Sequence, residues 1–351
     1  MLVRAMVNGC GVSKGVDAIV MAGDGRFFRP VYRTHKGLLE IEGESLLSYV
    51  ISSLQRCRYV SRIFVVGPAD RLSHALERVR ASGAGAKEIV LVNQWSTMLE
   101  NAWNTFLQTL PKTDPNGRPY SEEALRERYE DKAVLVLGCD MPLLTHFELE
   151  EFVQGCDLDN YDFLIGTTPL ETLRAYEPRT GMPGIRLAHF CFRDSRERQN
   201  NLHMIRFFRV INREYAHIMY RYRYQKRWKN VLALLWRFIR LPEVRPGMVV
   251  RFLLLHGARW AEQLNRRGLL ALLTRTLDKS RIERDISRLL KTRFGSVVTT
   301  YGGAALDVDN EAHFEIVRRQ FRRWLDYQEA LHEERTRDRT GQEDPEMRSL
   351  P

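Results

Sequence analysis

VDAIVMAGDGRFFRPVYRTHKGLLEIEG, residues 16–43, decides the fold. Its first apolar run, Asp17 to Met21, reads as a buried strand. The run opens directly into Ala22-Gly23-Asp24-Gly25-Arg26, a turn of small residues. Glycine after a strand lets backbone N–H groups approach phosphate oxygens, because no Cβ stands in the way. Arg26, Arg29, Arg33 and Lys36 add positive charge to the same loop, and a triphosphate needs that charge. The loop has neither the GxxxxGK[ST] spacing of P-loop NTPases nor the GxGxxG spacing of dinucleotide binders. It reads as a phosphate cradle of another kind.

Two further segments carry chemistry. AVLVLGCDMPLLT, residues 133–145, is an apolar strand that ends on Asp140. Open α/β sheets bind ligands at the carboxyl ends of their strands, and a carboxylate there is placed to hold Mg²⁺ against phosphates. Thr145 and Glu148 predict a capping box that starts the next helix. SVVTTYGGAALDVDNEAHF, residues 296–314, leads from a β-branched run through Gly302-Gly303 to Asp307 and Asp309. Two residues apart on a strand, these carboxylates point to one side. The alternatives are a helix N-cap at Asp309-Asn310 and a solvated edge residue at Asp307.

The three segments together resemble the MobA-like NTP transferase family. The resemblance covers residues 1–192 and 294–330 and rests most heavily on Cys139-Asp140-Met141-Pro142. It implies a Rossmann-like, GT-A type α/β fold in three layers with a mostly parallel sheet. It implies nucleotide binding by Ala22, Gly23, Asp24, Gly25, Arg26 and Lys36, with Asn101 close to the base. Arg26, Lys36 and Asp140 become the catalytic set. Asp140 becomes the principal Mg²⁺ ligand, and Asp307 or Asp309 the second. Arg186 and Asn201 fall where the family places its acceptor pocket. Two departures stand out: Asp24 replaces a glycine of the loop, and Asn310-Glu311-Ala312-His313 replaces the family's Thr-Pro-Glu-Asp.

The rest of the sequence is consistent with a globular enzyme. Strands are expected at 17–21, 62–67, 88–92, 133–138, 162–166 and 296–301. Helices are expected at 45–58, 70–82, 98–110, 121–129, 145–155 and 311–330. That alternation is the mark of a parallel sheet. Five cysteines without C-x-x-C spacing argue against a disulfide framework or a zinc site and suit a reducing cytoplasm. No secretory leader is evident, and no run approaches the ~18 apolar residues of a membrane span.

Residues 193–293 differ in character. They hold 25 Lys and Arg against 8 Asp and Glu, so the remainder of this +10 chain is mildly acidic. Ile205, Phe208, Ile211 and Tyr215 recur at helical spacing, with Arg206, Arg209 and Arg213 on another face. Val231, Leu234, Leu235 and Phe238 repeat the pattern, and further helices are expected over 248–267 and 269–290. We therefore expect a core of 1–192 and 294–330, a basic helical insertion of 193–293 and a disordered tail of 331–351. The insertion packs on the sheet with exposed arginines, docks on an anionic membrane surface through Trp228, Trp236, Phe238 and Trp260, or clamps a phosphorylated acceptor. Nucleic-acid binding is a weak reading, because Arg and Tyr density alone does not specify it. The protein is expected in the cytoplasm, with a peripheral position at the inner face of the membrane if the insertion docks there.

The resemblance implies Mg²⁺-dependent transfer of a nucleotidyl group from an NTP, such as CTP or GTP, to a phosphorylated small-molecule or lipid-derived acceptor, with release of pyrophosphate. Two other functions compete. A GT-A glycosyltransferase would use a nucleotide sugar, but Cys139-Asp140-Met141 lacks its D-x-D motif. A non-catalytic nucleotide sensor on a membrane surface would tolerate Asp24 and the altered late motif.

Overall fold

The computed structural model describes residues 15–24, 30–81, 86–215 and 240–342, with side chains to 338. The central strand β1 (Val16–Met21) is buried along nearly its whole length. Its side chains alternate between two cores. Ala18 and Val20 face Leu47, Leu72, Leu149 and Phe152, while Ile19 faces Ala102, Phe106, Phe207 and Phe208. Burial on both faces is why the strand reads as one apolar run. The exception, Asp17, is held at the opposite end from the Gly23 turn by Arg62 (Nε–Oδ1 2.9 Å) and Lys132 (Nζ–Oδ2 2.7 Å).

After β1 come the short hairpin β2 (Glu40–Ile41) and β3 (Glu44–Ser45), then α1 (Leu46–Arg56), β4 (Val60–Gly67) and α2 (Ala69–Ala81). Next are β5 (Ile89–Asn93), α3 (Met98–Gln108), α4 (Glu122–Tyr129), β6 (Val134–Gly138), α5 (His146–Gly155), β7 (Phe163–Pro169) and α6 (Leu170–Leu173). A second hairpin, β8 (Phe190–Cys191) and β9 (Arg196–Ile205), follows. The chain then passes to α7 (Pro246–Gln263), α8 (Arg267–Thr274), α9 (Lys279–Leu290), β10 (Phe294–Val298) and α10 (Glu311–Gln342). The sheet order is β5-β4-β1-β6-β9-β7-β10. Every pair along it is parallel except those of β9, which runs antiparallel to β6 and β7. Helices cover both faces, so the expected mostly parallel α/β sheet is present.

Several expectations change. Arg196–Ile205 belongs to the sheet, so the stretch assigned to the insertion supplies a central strand. Its sequence, RERQNNLHMI, hides this because its charged side chains and Asn200 and Asn201 have partners within the protein. Ile205 ends that strand, and residues 207–209 form a 3₁₀ turn rather than a helix. Arg206 and Arg209 do not line a free basic face. They pair with Asp131 and with Asp162, which Arg293 also grips, and Arg213 stacks on Trp103 at 3.5 Å. The helix expected over 269–290 is two, broken at Arg275–Asp278. Helix α10 continues past 330 to Gln342, where a disordered tail was expected. The helix read at Val231–Phe238, with Trp228 and Trp236, lies outside the described residues.

Thr145 caps α5, accepting from Glu148 N at 3.4 Å, but the reciprocal half of the expected capping box is missing. The Glu148 carboxylate instead crosses to the turn after β10. There it accepts from Thr299 Oγ1 (3.0 Å), Gly302 N (3.2 Å) and Ala304 N (2.9 Å). That turn explains its two glycines. Gly302 has φ +95°, and a Cβ on Gly303 would lie 1.9 Å from the Leu143 carbonyl oxygen.

Candidate functional site

The carboxyl ends of β1 and β6, which are neighbours, bring the two motif segments together. The chain leaves β1 through Ala22 and Gly23. A Cβ on Gly23 would sit 2.8 Å from Asn101 Nδ2 and 3.2 Å from Gln94 Oε1, so this position must be bare for the turn to lie against α3. Asn101 is buried, and its Oδ1 accepts from Trp95 N at 2.5 Å. It therefore braces the turn from behind. Asp24 donates its N–H to Gln94 Oε1 (2.9 Å), and its carboxylate pairs with Arg71 at 3.1 Å. The acid that replaces a glycine in the loop is thus neutralised from α2. Gly25 and Arg26 lie outside the described residues.

His35 connects this turn to Lys36. Its Nδ1 accepts from Gly37 N (3.1 Å), which leaves Nε2–H to donate to the Ala22 carbonyl at 2.8 Å. Burial lowers the imidazole's pKa and keeps it neutral for that role. Lys36 then projects across the cleft. Its Nζ lies 3.3 Å from Asp140 Oδ2 and 3.1 Å from Asp309 Oδ1. Burial alone would pull the ammonium's pKa down. Asp140 and Asp309 outweigh it, so the pKa lies above the ordinary lysine value and the group stays charged.

The late segment reaches the same place. Val308 N donates to the Asp140 carbonyl at 3.0 Å, which ties the Asp307–Asp309 stretch to the end of β6. Asn310 caps α10 through its side chain, accepting from His313 N at 2.9 Å, so Asp309 is not needed as the cap and turns to Lys36. Asp307 pairs with Arg198 of β9 at 3.0 Å. Burial is the main cause that raises the Asp307 pKa; Arg198 opposes it, and Asp309 and Asp140 add to it.

Asp140 and Asp309 thus converge on Lys36, while Asp307 pairs with Arg198. One negative charge is in excess, and the donor atoms are all oxygen, the set a hard divalent cation takes. The two acceptor candidates separate. Asn201 lies on β9 beside the turn after β10, with Nδ2 3.5 Å from the Ala304 carbonyl. Arg186 is exposed, and among the described residues no contact joins it to the carboxylates. Asn200, next to Asn201, is buried, donating to Thr168 Oγ1 (3.2 Å) and Thr299 Oγ1 (3.0 Å). Sequence reading missed His35, Gln94, Arg71 and Arg198. Of these only His35, adjacent to Lys36, had a local signal.

Known proteins resemble the chain at two levels. Residues 18–174 match the sequence model of the MobA-like NTP transferase domain. A solved structure described as a hypothetical transferase from Thermus thermophilus superposes with a TM-score of 0.53 at 19% identity, over 85% of this chain and 98% of that one. CMP:2-keto-3-deoxy-manno-octonic acid synthetase, solved with CTP, gives a TM-score of 0.43 at 14% identity, over 88% of this chain and 99% of that one. The 4-diphosphocytidyl-2C-methyl-D-erythritol synthase of Anaerococcus prevotii DSM 20548 gives 0.43 at 11%, over 88% and 99%. No curated protein matches. The first of these likenesses is one of fold. The matched segment supplies strands β1 to β7 and the Asp140 motif, while β9, β10, Asp307 and Asp309 come from beyond it. The match to the MobA-like NTP transferase domain thus spans residues 18–174, a little under half of the chain.

Proposed function

We propose that this cleft transfers a nucleotidyl group from an NTP to a phosphorylated acceptor. A phosphate oxygen of the acceptor attacks the α-phosphorus, the bond from that phosphorus to the bridging oxygen breaks, and pyrophosphate leaves. The observation that carries the reading is Lys36, fixed between Asp140 and Asp309 at the mouth of a glycine turn. No protein nucleophile is required, so catalysis is positioning and charge neutralisation. The Gly23 N–H would be offered to the phosphates, since those of Ala22 and Asp24 are bonded to Val66 and Gln94. Lys36, with Arg26, neutralises charge that grows on the leaving pyrophosphate. Arg198 holds Asp307, and Asn201 would contact the acceptor. Asp140 and Asp309, with Asp307 behind them, would hold Mg²⁺, which supplies Lewis-acid neutralisation of the reacting phosphates.

The test is pyrophosphate release from each of the four NTPs with Mg²⁺, against phosphorylated sugars, alcohols and phospholipid head groups. We expect release with CTP or GTP and a single class of acceptor. NTP binding without release across the whole panel would favour a nucleotide sensor over a transferase.

A second observation bears on where the enzyme works. Val250, Leu253 and Trp260 fall on one face of α7, with Leu264 just past its end, and all are exposed, as are Leu269 and Leu272 of α8. Arg266, Arg267 and Arg275 are exposed around them. An apolar stripe rimmed by arginines suits the surface of an anionic bilayer. No helix among the described residues is long and apolar enough to cross a membrane. The protein should sediment with phosphatidylglycerol vesicles at low salt and not with phosphatidylcholine vesicles. Trp260→Glu should weaken that binding about tenfold. Equal recovery in the supernatant with both lipids would remove the membrane reading.

A further inference from the structure

A second group of ligand-type side chains lies at the β8–α7 contact, apart from the carboxylate cluster. His189 precedes β8, Cys191 ends it, and Glu262 projects from α7. His189 Nε2 is 2.8 Å from Glu262 Oε2, and Cys191 Sγ is 3.2 Å from the same oxygen. One donor atom from each of the three residues falls within 4.8 Å of the others. His189-x-Cys191 is the reason two of them meet, because residues two apart in extended chain point the same way.

The imidazole is the informative member. Its Nδ1 lies 3.3 Å from the Leu187 carbonyl, an acceptor, so this nitrogen carries the hydrogen. In the neutral ring Nε2 is then a lone pair. It faces a carboxylate oxygen at 2.8 Å, is buried, and makes no hydrogen bond of acceptable geometry. Two lone pairs at that distance repel unless a proton or a metal cation lies between them. A backbone carbonyl on the far nitrogen is also how metal-binding histidines are commonly oriented. Arg196 takes the other carboxylate oxygen at 3.4 Å, so Oε2 is the one that faces His189 and Cys191.

We propose that His189, Cys191 and Glu262 bind a zinc-type divalent cation. The nitrogen, sulfur and oxygen set suits a borderline ion rather than the hard ion expected at Asp140. Three protein ligands leave a fourth position for water. On binding, the Cys191 S–H bond breaks, the proton passes to solvent and a sulfur–metal bond forms. Because binding releases that proton, metal affinity should rise with pH. The ion would staple α7 to the edge of the sheet, joining the basic helices to the core. Cys191 already packs with Ala258, Ala261, Leu270 and Leu277 in the small core that those helices share.

The experiment is a Co²⁺ titration of the full chain, followed by absorbance, with Cys191→Ser and Glu262→Gln alongside. Wild type should show one equivalent of tetrahedral Co²⁺ with a near-ultraviolet thiolate charge-transfer band. Cys191→Ser should lose that band, and Glu262→Gln should bind at least ~tenfold more weakly. Serine preserves donation to Glu262, so the variant keeps its fold. Zn²⁺ should raise the unfolding temperature of wild type and leave that of Cys191→Ser unchanged. The proposal is overturned if no thiolate band forms, or if it survives in Cys191→Ser; the former would make the cluster a His189–Glu262 ion pair.

Discussion

Asp140→Ala should lower pyrophosphate release by ~1000-fold or more, while the unfolding temperature changes by little. The first half of this rests on the nucleotidyl-transfer reading. Asp140 is the carboxylate that β6 carries directly to the cleft mouth, and the charge stabilisation of a bound divalent cation is worth several kcal/mol in the transition state. The second half follows from how Asp140 is built in. Its backbone carbonyl, not its side chain, accepts from Val308 N, so the link between the two acidic segments survives the substitution. Its side chain is 20% exposed and contacts Lys36, which keeps Asp309 as a partner at 3.1 Å. A partly exposed pair of this kind contributes about 1 kcal/mol or less. Asp309→Ala should damage turnover comparably. The measurement is steady-state pyrophosphate release at saturating NTP, with thermal unfolding run on the same samples. Near wild-type turnover in Asp140→Ala would remove the metal assignment.

The contrast between Asp140 and Arg198 shows what could be read from the chain. Asp140 follows five buried apolar residues, and its placement at a strand end is a consequence of local pattern alone. The same holds for the Gly23 turn after β1. Arg198 sits in Arg196–Ile205, a strand so polar that its place in the middle of the sheet has no local signature. Its buried and half-buried polar side chains are answered by residues far away in the sequence: Glu197 by Lys279, Arg198 by Asp307, Asn200 by Thr168 and Thr299. Tertiary pairing overrides propensity there. The basic insertion misleads for the same reason. Charge counting treated Arg206 and Arg209 as solvent-facing, yet Asp162 and Asp131 had already claimed them. His189 and Cys191 were passed over because the third member of their cluster is 71 residues away.

Glu148→Ala should be the most destabilising single change near the site, although the residue touches no reacting group. The carboxylate is fully buried and accepts from Thr299 Oγ1, Gly302 N and Ala304 N, the donors of the turn that carries the chain from β10 toward Asp307. Truncation strands those donors around a cavity and should cost about 3 kcal/mol or more, lowering the unfolding temperature by roughly 5–10 °C. The pH dependence separates this role from mere packing. Burial pushes the carboxyl up to about 7 against an ordinary 4.5, with Ala304 and Thr299 restraining the rise. Because the folded chain favours the protonated form, its contribution is complete below about 4.5 and disappears as pH rises through about 7. That window is worth on the order of 3 kcal/mol. Glu148→Gln cannot titrate. The stability difference between wild type and Glu148→Gln, measured by urea unfolding, should therefore shrink by about that amount between pH 4.5 and pH 8. Parallel profiles would mean that the three donors overcome burial and hold Glu148 ionised throughout.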